Sequence, residues 1–328
     1  MIQRRLDRIG RLLWDDLPLI YFLFLAVAAA STECLNLSPP RRDLSWTFVF
    51  PLAVPVVLYA LRFRTIDYAE RLFGLVVLLG ALSILALIFL SLKPQPIAVS
   101  QLRLFYEYSS LANTLFLGLH AWRRSRALAI LFFVPVAVYG VILENGGILF
   151  GYFSETGYHL YLWPFLAPLA TMAGWITVFY LVMSVTWEFQ RCNPWLSRSA
   201  FGSALVATTC ALCLDLSLDP LATAVGFWRW NDLLTFSLLG VPVHNFVAWA
   251  SAVFPFSLLL FRLQIGRSIQ PVDLGKTGNQ IWLFLRIPLA LAAASVLFFG
   301  SMAVIEEGFS GPTFAVLEET LRKWSLHE

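Results

Sequence analysis

"ALAILFFVPVAVYGVILENGGIL", residues 127–149, decides the fold. The stretch carries one charged side chain, Glu144, near its far end. A helix of this length reaches about 34 Å, enough to cross a hydrocarbon core of about 30 Å. The run is roughly twice what a barrel strand needs. Only helices and closed barrels satisfy their backbone inside lipid, so the helix is the remaining choice.

Working outward, similar runs occupy 17–37, 45–61, 72–92, 104–121, 164–187, 199–217, 238–261 and 282–305. The 328-residue chain is 59% hydrophobic and 13% charged, where soluble domains carry about 25% charge. Mean hydropathy is +0.74. These values predict an all-α polytopic integral membrane bundle of eight or nine transmembrane helices. The basic start "MIQRRLDRIGRLLW" before the first run has the look of a signal peptide. That run is long and further spans follow, so an uncleaved first span is expected.

Orientation follows from loop Lys and Arg. With nine spans, Arg41, Arg42, Lys93, Arg103, Arg229, Arg322 and Lys323 fall on one side and the other 16 of the 23 on the opposite side. The richer side should be cytoplasmic, with the N-terminus on it; a bacterial inner membrane is the expected location. The net charge of +3 comes from loop arginines and gives no nucleic-acid face. Cys210 and Cys213 form a CxxC inside an apolar run, where two small residues on a helix face are expected rather than a redox or metal pair.

On this map the unusual polar residues gather toward the outer leaflet. Glu33 ends the first span and Glu107 begins the fourth. Glu144 and Asn145 lie toward the outer end of the fifth. Asp215 and Asp219 bracket the outer end of the seventh; His244 and Asn245 start the eighth; Glu306 and Glu307 close the ninth. Embedded ionisable groups are expensive and suggest a functional site. For Glu33, Glu306 and Glu307 a simple reach to the headgroups serves as well. Glu188 is the main embedded acid on the cytoplasmic side.

Two stretches carry most of the chemistry: "ENGGILFGYFSETGYHLYLWPFLAPLATMAGW" (144–175) and "LDLSLDPLATAVGFWRWNDLLTFSLLGVPVHNFVAWA" (214–250). Together they resemble the carotenoid biosynthesis membrane protein family that includes the bisanhydrobacterioruberin and γ-carotene hydratases (the CruF type). The resemblance rests on Glu144 with Phe150-Gly151-Tyr152, Tyr158-His159, Asp215 to Asp219-Pro220, Gly226-x-Trp228-x-Trp230, and Gly240-Val241-Pro242 with Asn245-Phe246 and Trp249. It covers roughly 120–262. "LYLWPFLAPLA" departs from the family's Gly-Pro pattern, and no Gly precedes Trp249. These departures point to a related isoprenoid substrate. The expected division is an N-terminal transmembrane region 1–125, a family-like catalytic region 126–305, and a tail 306–328.

The resemblance implies hydration of a terminal carotenoid double bond. Adding water to a trisubstituted alkene needs a strong proton donor, then capture of the tertiary cation by water, and no cofactor. A carboxyl in a low-dielectric site can remain protonated and donate. Glu144, Asp215 and Asp219 are the candidate catalytic acids. Asp215 and Asp219 are four apart and share a face if the helix continues; Pro220 is expected to end it. Aromatic faces attract cations, which makes Tyr152, Tyr158, Trp228 and Trp230 candidates for substrate binding, with an interfacial belt as the plainer role for the tryptophans. Asn145 and Asn245 could position water, or bond helix to helix. His159 and His244 could relay protons, or simply be solvated. Gly146, Gly147 and Gly151 should allow close approach or a turn.

The four histidines (His120, His159, His244, His327) show no HxxxH or HxxHH, which argues against di-iron chemistry and against a metal site. There is no phosphate cradle after a strand and no G-x-S-x-G elbow. The expected partners are a carotenoid or other isoprenoid substrate, membrane lipid, and other carotenoid enzymes in a complex. Competing readings are a carotenoid cyclase or isomerase, a scaffold, or a non-catalytic transporter or lipid-binding protein; no internal repeat of the transporter kind is visible.

Overall fold

The computed structural model describes residues 14, 16–31, 42–62, 77–85, 99–155, 157–230, 236–263, 274–307, 315, 318–319 and 322. Most of these are helical. The main helices are α1 (Leu17–Ala30), α2 (Trp46–Arg62), α3 (Val99–Arg124), α4 (Arg126–Leu149), α5 (Leu169–Cys192), α6 (Ala200–Ala224), α7 (Val243–Arg262) and α8 (Leu274–Glu307). Among the described residues, α4, α5, α6 and α7 are long and apolar enough to cross a membrane; α1 and α2 are shorter apolar helices. Most of the expected span 72–92 lies outside the described residues, and its visible part, 77–85, is helical. Glu33 also lies outside them, as do the side chains of Glu306 and Glu307.

Helix bounds depart from the apolar runs for local reasons. α5 begins at Leu169, because Pro168 bars its predecessor from helical backbone and has no N–H of its own. α6 starts where the Ser199 side chain accepts the Gly202 N–H at 2.9 Å, a serine N-cap. It does not stop at Pro220. It runs on to Ala224 and closes with Val225 N–H on the Leu221 carbonyl at 3.0 Å. A proline forfeits the bond to the carbonyl four back, but the remaining turn still closes. α7 begins at Val243 rather than 238, because Leu239 (φ 56) and Gly240 (φ 86) make a tight turn and Pro242 leads in with extended backbone. In α4, residues Phe132–Val136 form one π turn containing Pro135, a usual way to absorb a missing N–H.

The chain forms two compact units. The first comprises Met1–Ala98, Leu181–Val225 and Leu238–Leu263; the second comprises Val99–Tyr180, Gly226–Ser237 and Gln264–Glu328. α5 therefore gives its first half to the second unit and its second half to the first.

In the first unit α6 and α7 make the most extensive helix pairing. Both bury small residues, Ala204, Ala207 and Ala211 on α6 and Ala252 on α7, as helices do when lipid offers no hydrophobic drive and close approach must supply the attraction. Ser217 Oγ donates to the Thr47 carbonyl at 2.6 Å and ties α6 to α2. Buried Arg62 joins three helices, donating to Asp16 before α1 and to Glu188 of α5, each at 2.5 Å.

In the second unit α3 is pinned to α5 by a polar ladder. Ser110 donates to the Ala170 carbonyl (2.8 Å), Thr114 to the Ala173 carbonyl (3.0 Å), and His120 Nδ1 pairs with the Tyr180 hydroxyl (2.5 Å). Gly140 of α4 lies so close to α5 that a Cβ would strike the Met172 carbonyl. Strands β1 (Phe153–Glu155) and β2 (Trp228–Trp230) pair antiparallel, with Phe153 opposite Trp230 and Glu155 opposite Trp228.

Candidate functional site

The first unit holds an acid pair. Asp215 and Asp219 sit one turn apart on α6 and are 0% and 5% exposed. The single amide nitrogen of Asn245, on α7, donates to both: to Asp215 Oδ1 at 3.1 Å and to Asp219 Oδ2 at 2.5 Å. Two acids held on one amide in this way are the arrangement in which an acid can stand beside its conjugate base. The continuation of α6 past Pro220 keeps both acids on one helical face. Asn245 is buried and committed to the pair; His244, beside it, is half-buried.

α6 and α7 also form an open apolar groove of about 460 Å³, lined by Leu212, Val243, Phe246, Val247, Ala250 and Phe254, among others; neither carboxyl nor Asn245 lines it. Leu212 lies three residues before Asp215, and Val243 and Phe246 flank Asn245.

The second unit holds the other sequence candidates, in several roles. Glu144, near the end of α4, accepts the Trp175 indole N–H at 2.6 Å. Asn145 binds backbone groups on both sides. Its Oδ1 accepts the backbone N–H groups of Leu166 (2.6 Å) and Ala167 (3.1 Å), and its Nδ2 donates to the Val141 carbonyl (2.7 Å). Gly147 gives way to the Phe153 ring, where a Cβ would collide, and Gly151 turns the chain at φ 70; Gly146 faces open space. Tyr152 packs with Phe150 at 6.3 Å, and Trp230 meets Phe153 edge to face at 5.4 Å.

Three residues with no role assigned from sequence organise this unit. Buried Glu107 of α3 accepts the backbone N–H of His159 and of Leu160, both at 2.8 Å, and pairs with His159 Nδ1 at 2.9 Å. His159 thus anchors a loop, with a side chain 60% exposed. Glu155, 7% exposed, accepts the Thr171 hydroxyl at 3.2 Å. Arg103 donates to the Gly157 carbonyl (3.3 Å) and the Gly226 carbonyl (2.7 Å). Its guanidinium also lies over the rings of Tyr158 (5.5 Å) and Phe227 (5.9 Å). Tyr158 is 7% exposed. Burial pushes its hydroxyl well above the usual phenol range, Tyr106, Glu155 and Glu144 add to this, and Arg103 opposes it. The phenol is therefore a standing donor. The contacts of Glu107 and Arg103 join residues about 50 to 120 positions apart, a separation no local motif reports.

Among the described residues, no group of three or more His, Cys, Asp or Glu comes together as a metal site. The family model described as "Carotenoid biosynthesis protein" matches residues 105–317, about two-thirds of the chain. The chain belongs to the carotenoid biosynthesis protein family. The match takes in Glu107, Glu144 and the site residues that follow, through α7 and the whole of α8; Arg103 lies just before it. No curated protein and no solved structure matches. Family membership together with helices fit to cross a membrane makes this a membrane protein of carotenoid biosynthesis.

Proposed function

We propose that this carotenoid biosynthesis protein is a cofactor-independent hydratase of the CruF type. It adds water to a terminal 1,2 double bond of an acyclic or monocyclic carotenoid. The observation that carries the reading is the buried Asp215–Asp219 pair on the Asn245 amide. The protonated member gives its proton to the less substituted alkene carbon, and the π electrons form that new C–H bond. A tertiary cation is left on the neighbouring carbon. Water attacks it, and the carboxylate member takes the proton water releases, so the pair again holds one proton. The sum is one water added per double bond, with no electron gained or lost. General acid–base help of this kind is worth about 10² to 10⁴ in rate.

The polyene is assigned to the α6–α7 groove, which is apolar and continuous in sequence with the pair. Glu144, fixed by Trp175, remains the second candidate acid. The protein is assigned to a bacterial inner membrane with its N-terminus cytoplasmic.

The test is expression in hosts that make lycopene or γ-carotene, with pigments weighed for a gain of one water. Wild type should yield the hydrated product. Asp215→Asn and Asp219→Asn should each lower it at least about 100-fold at equal protein accumulation. No product from wild type sinks the reading for those substrates; product from both Asp215→Asn and Glu144→Gln at wild-type level overturns the acid assignment.

A further inference from the structure

The segment "LYLWPFLAPLA" (160–170), which departs from the family's Gly-Pro pattern, lies mostly in the connection between α4 and α5. Both helices are long and apolar enough to cross a membrane, so the connection stands where they leave the bilayer. Between Glu155 and Glu188 the chain has no Asp, Glu, Lys or Arg. The connection at the other end of α5, "RCNPWLSRS" (191–199), has two arginines. The uncharged tip is also outward-facing: Tyr161, Leu162 and Trp163 are 44%, 53% and 64% exposed, and Pro164 is exposed beside them.

The backbone of this tip is provided for from inside the protein. Glu107 Oε1 accepts the N–H groups of His159 and Leu160, both at 2.8 Å. Asn145 Oδ1 accepts those of Leu166 (2.6 Å) and Ala167 (3.1 Å). The Phe165 N–H donates to the Leu162 carbonyl and the Leu169 N–H to the Leu160 carbonyl, both at 2.9 Å. Tyr161 and Pro168 form an antiparallel bridge, and the Tyr161 hydroxyl donates to the Glu155 carbonyl at 3.1 Å. Pro164 and Pro168 have no N–H to satisfy. Water satisfies the backbone of an ordinary surface loop. A loop set against lipid must bring its own acceptors, and this one draws on side chains of α3 and α4 to do so.

The occupant follows from size and chemistry. Four side chains offer roughly a few hundred Å², short of the about 800 Å² per partner that a specific protein interface buries. Tyr and Trp, each an apolar ring with a polar edge, collect where membrane meets water. We propose that Tyr161–Pro164 is a wedge set into the interfacial region of the leaflet at this end of α4 and α5, with Leu162 and Trp163 against lipid acyl chains. The connection is then part of the membrane-embedded body of the second unit. It does not depend on the Asp215–Asp219 pair.

The experiment places the full chain, labelled with fluorotryptophan, in phospholipid nanodiscs. It needs neither carotenoid nor turnover, so its outcome is separate from the hydratase reading. The chain has 12 tryptophans, and the fluorine resonance missing from Trp163→Phe is that of Trp163. A lipid with a nitroxide near the top of its acyl chain should broaden this resonance more than a water-soluble gadolinium chelate does. Equal or stronger broadening by the chelate places the tip in water. No broadening by either probe places it under protein, a second copy or a partner. Each of these two results overturns the proposal. Should Trp163→Phe fail to accumulate, Leu162→Trp adds a resonance at the neighbouring position, read against the same two probes with the same outcomes.

Discussion

At the residue scale, the buried polar atoms divide by what they bond. Asn145 Oδ1 and Glu107 Oε1 each accept two backbone N–H groups. Asp215 and Asp219 share the one Asn245 amide instead. Tyr158 offers a test of its own. Burial first, then Tyr106 and Glu155, holds its hydroxyl above the ordinary value. A group with a raised folded pKa contributes its stability in full below the unfolded value, about 10 for tyrosine, and loses it as pH climbs beyond. Melting temperature in detergent should therefore fall more steeply above about pH 10 in wild type than in Tyr158→Phe. Parallel slopes would show that Tyr158 is not the group titrating. The acid pair was legible because Asp-x-x-x-Asp in an apolar run is costly wherever it lies. Arg103 was not, because its significance is created by two glycine carbonyls, at 157 and 226, that no spacing rule connects to it.

At the element scale, apolar runs located the helices and proline misled about where they end. Pro220 was expected to stop α6; it sits within the helix, because one missing bond does not outweigh the turn that follows. Pro168 set the start of α5 later than its apolar run suggests. Two outcomes belong here. Arg62 bridges α1, α2 and α5 through two buried carboxylates. Arg62→Met should cost about 3–5 kcal/mol, because it takes the shared cation from both buried acids, although Glu188 keeps Arg191 at 2.9 Å; a detergent melting curve or urea titration reads this directly, and a loss within error would mean water reaches the site. Ala250→Trp should fill the α6–α7 groove. It should depress conversion of full-length carotenoid at least about tenfold, while a truncated isoprenoid carrying the same end group, which needs less groove, loses little. Equal losses on both would place the polyene elsewhere.

At the scale of the whole molecule, composition identified a helical membrane protein, and the family match agrees with the resemblance carried by residues 144–175 and 214–250. The side of each loop remains an expectation from loop arginines. Reporter fusions check it. A fluorescent protein at the N-terminus should fold and shine, and alkaline phosphatase inserted in the loop after α4, near Gly157, should be active outside the cytoplasm. The reverse pattern would invert the map and move the acid pair to the other leaflet.

The alternation of the two units along the chain has a consequence for how the protein is made. Neither unit is a continuous stretch: the first needs residues up to Leu263, and the second draws on segments from Val99 to the C-terminal region. As the ribosome delivers the chain, α1 and α2 emerge long before α6, the helix they pack against. The early helices must therefore wait in lipid, or in the keeping of the insertion machinery, with the Arg62 guanidinium still lacking Glu188. No single cut yields either unit whole, so fragments of this protein should be judged as assembly intermediates rather than as domains.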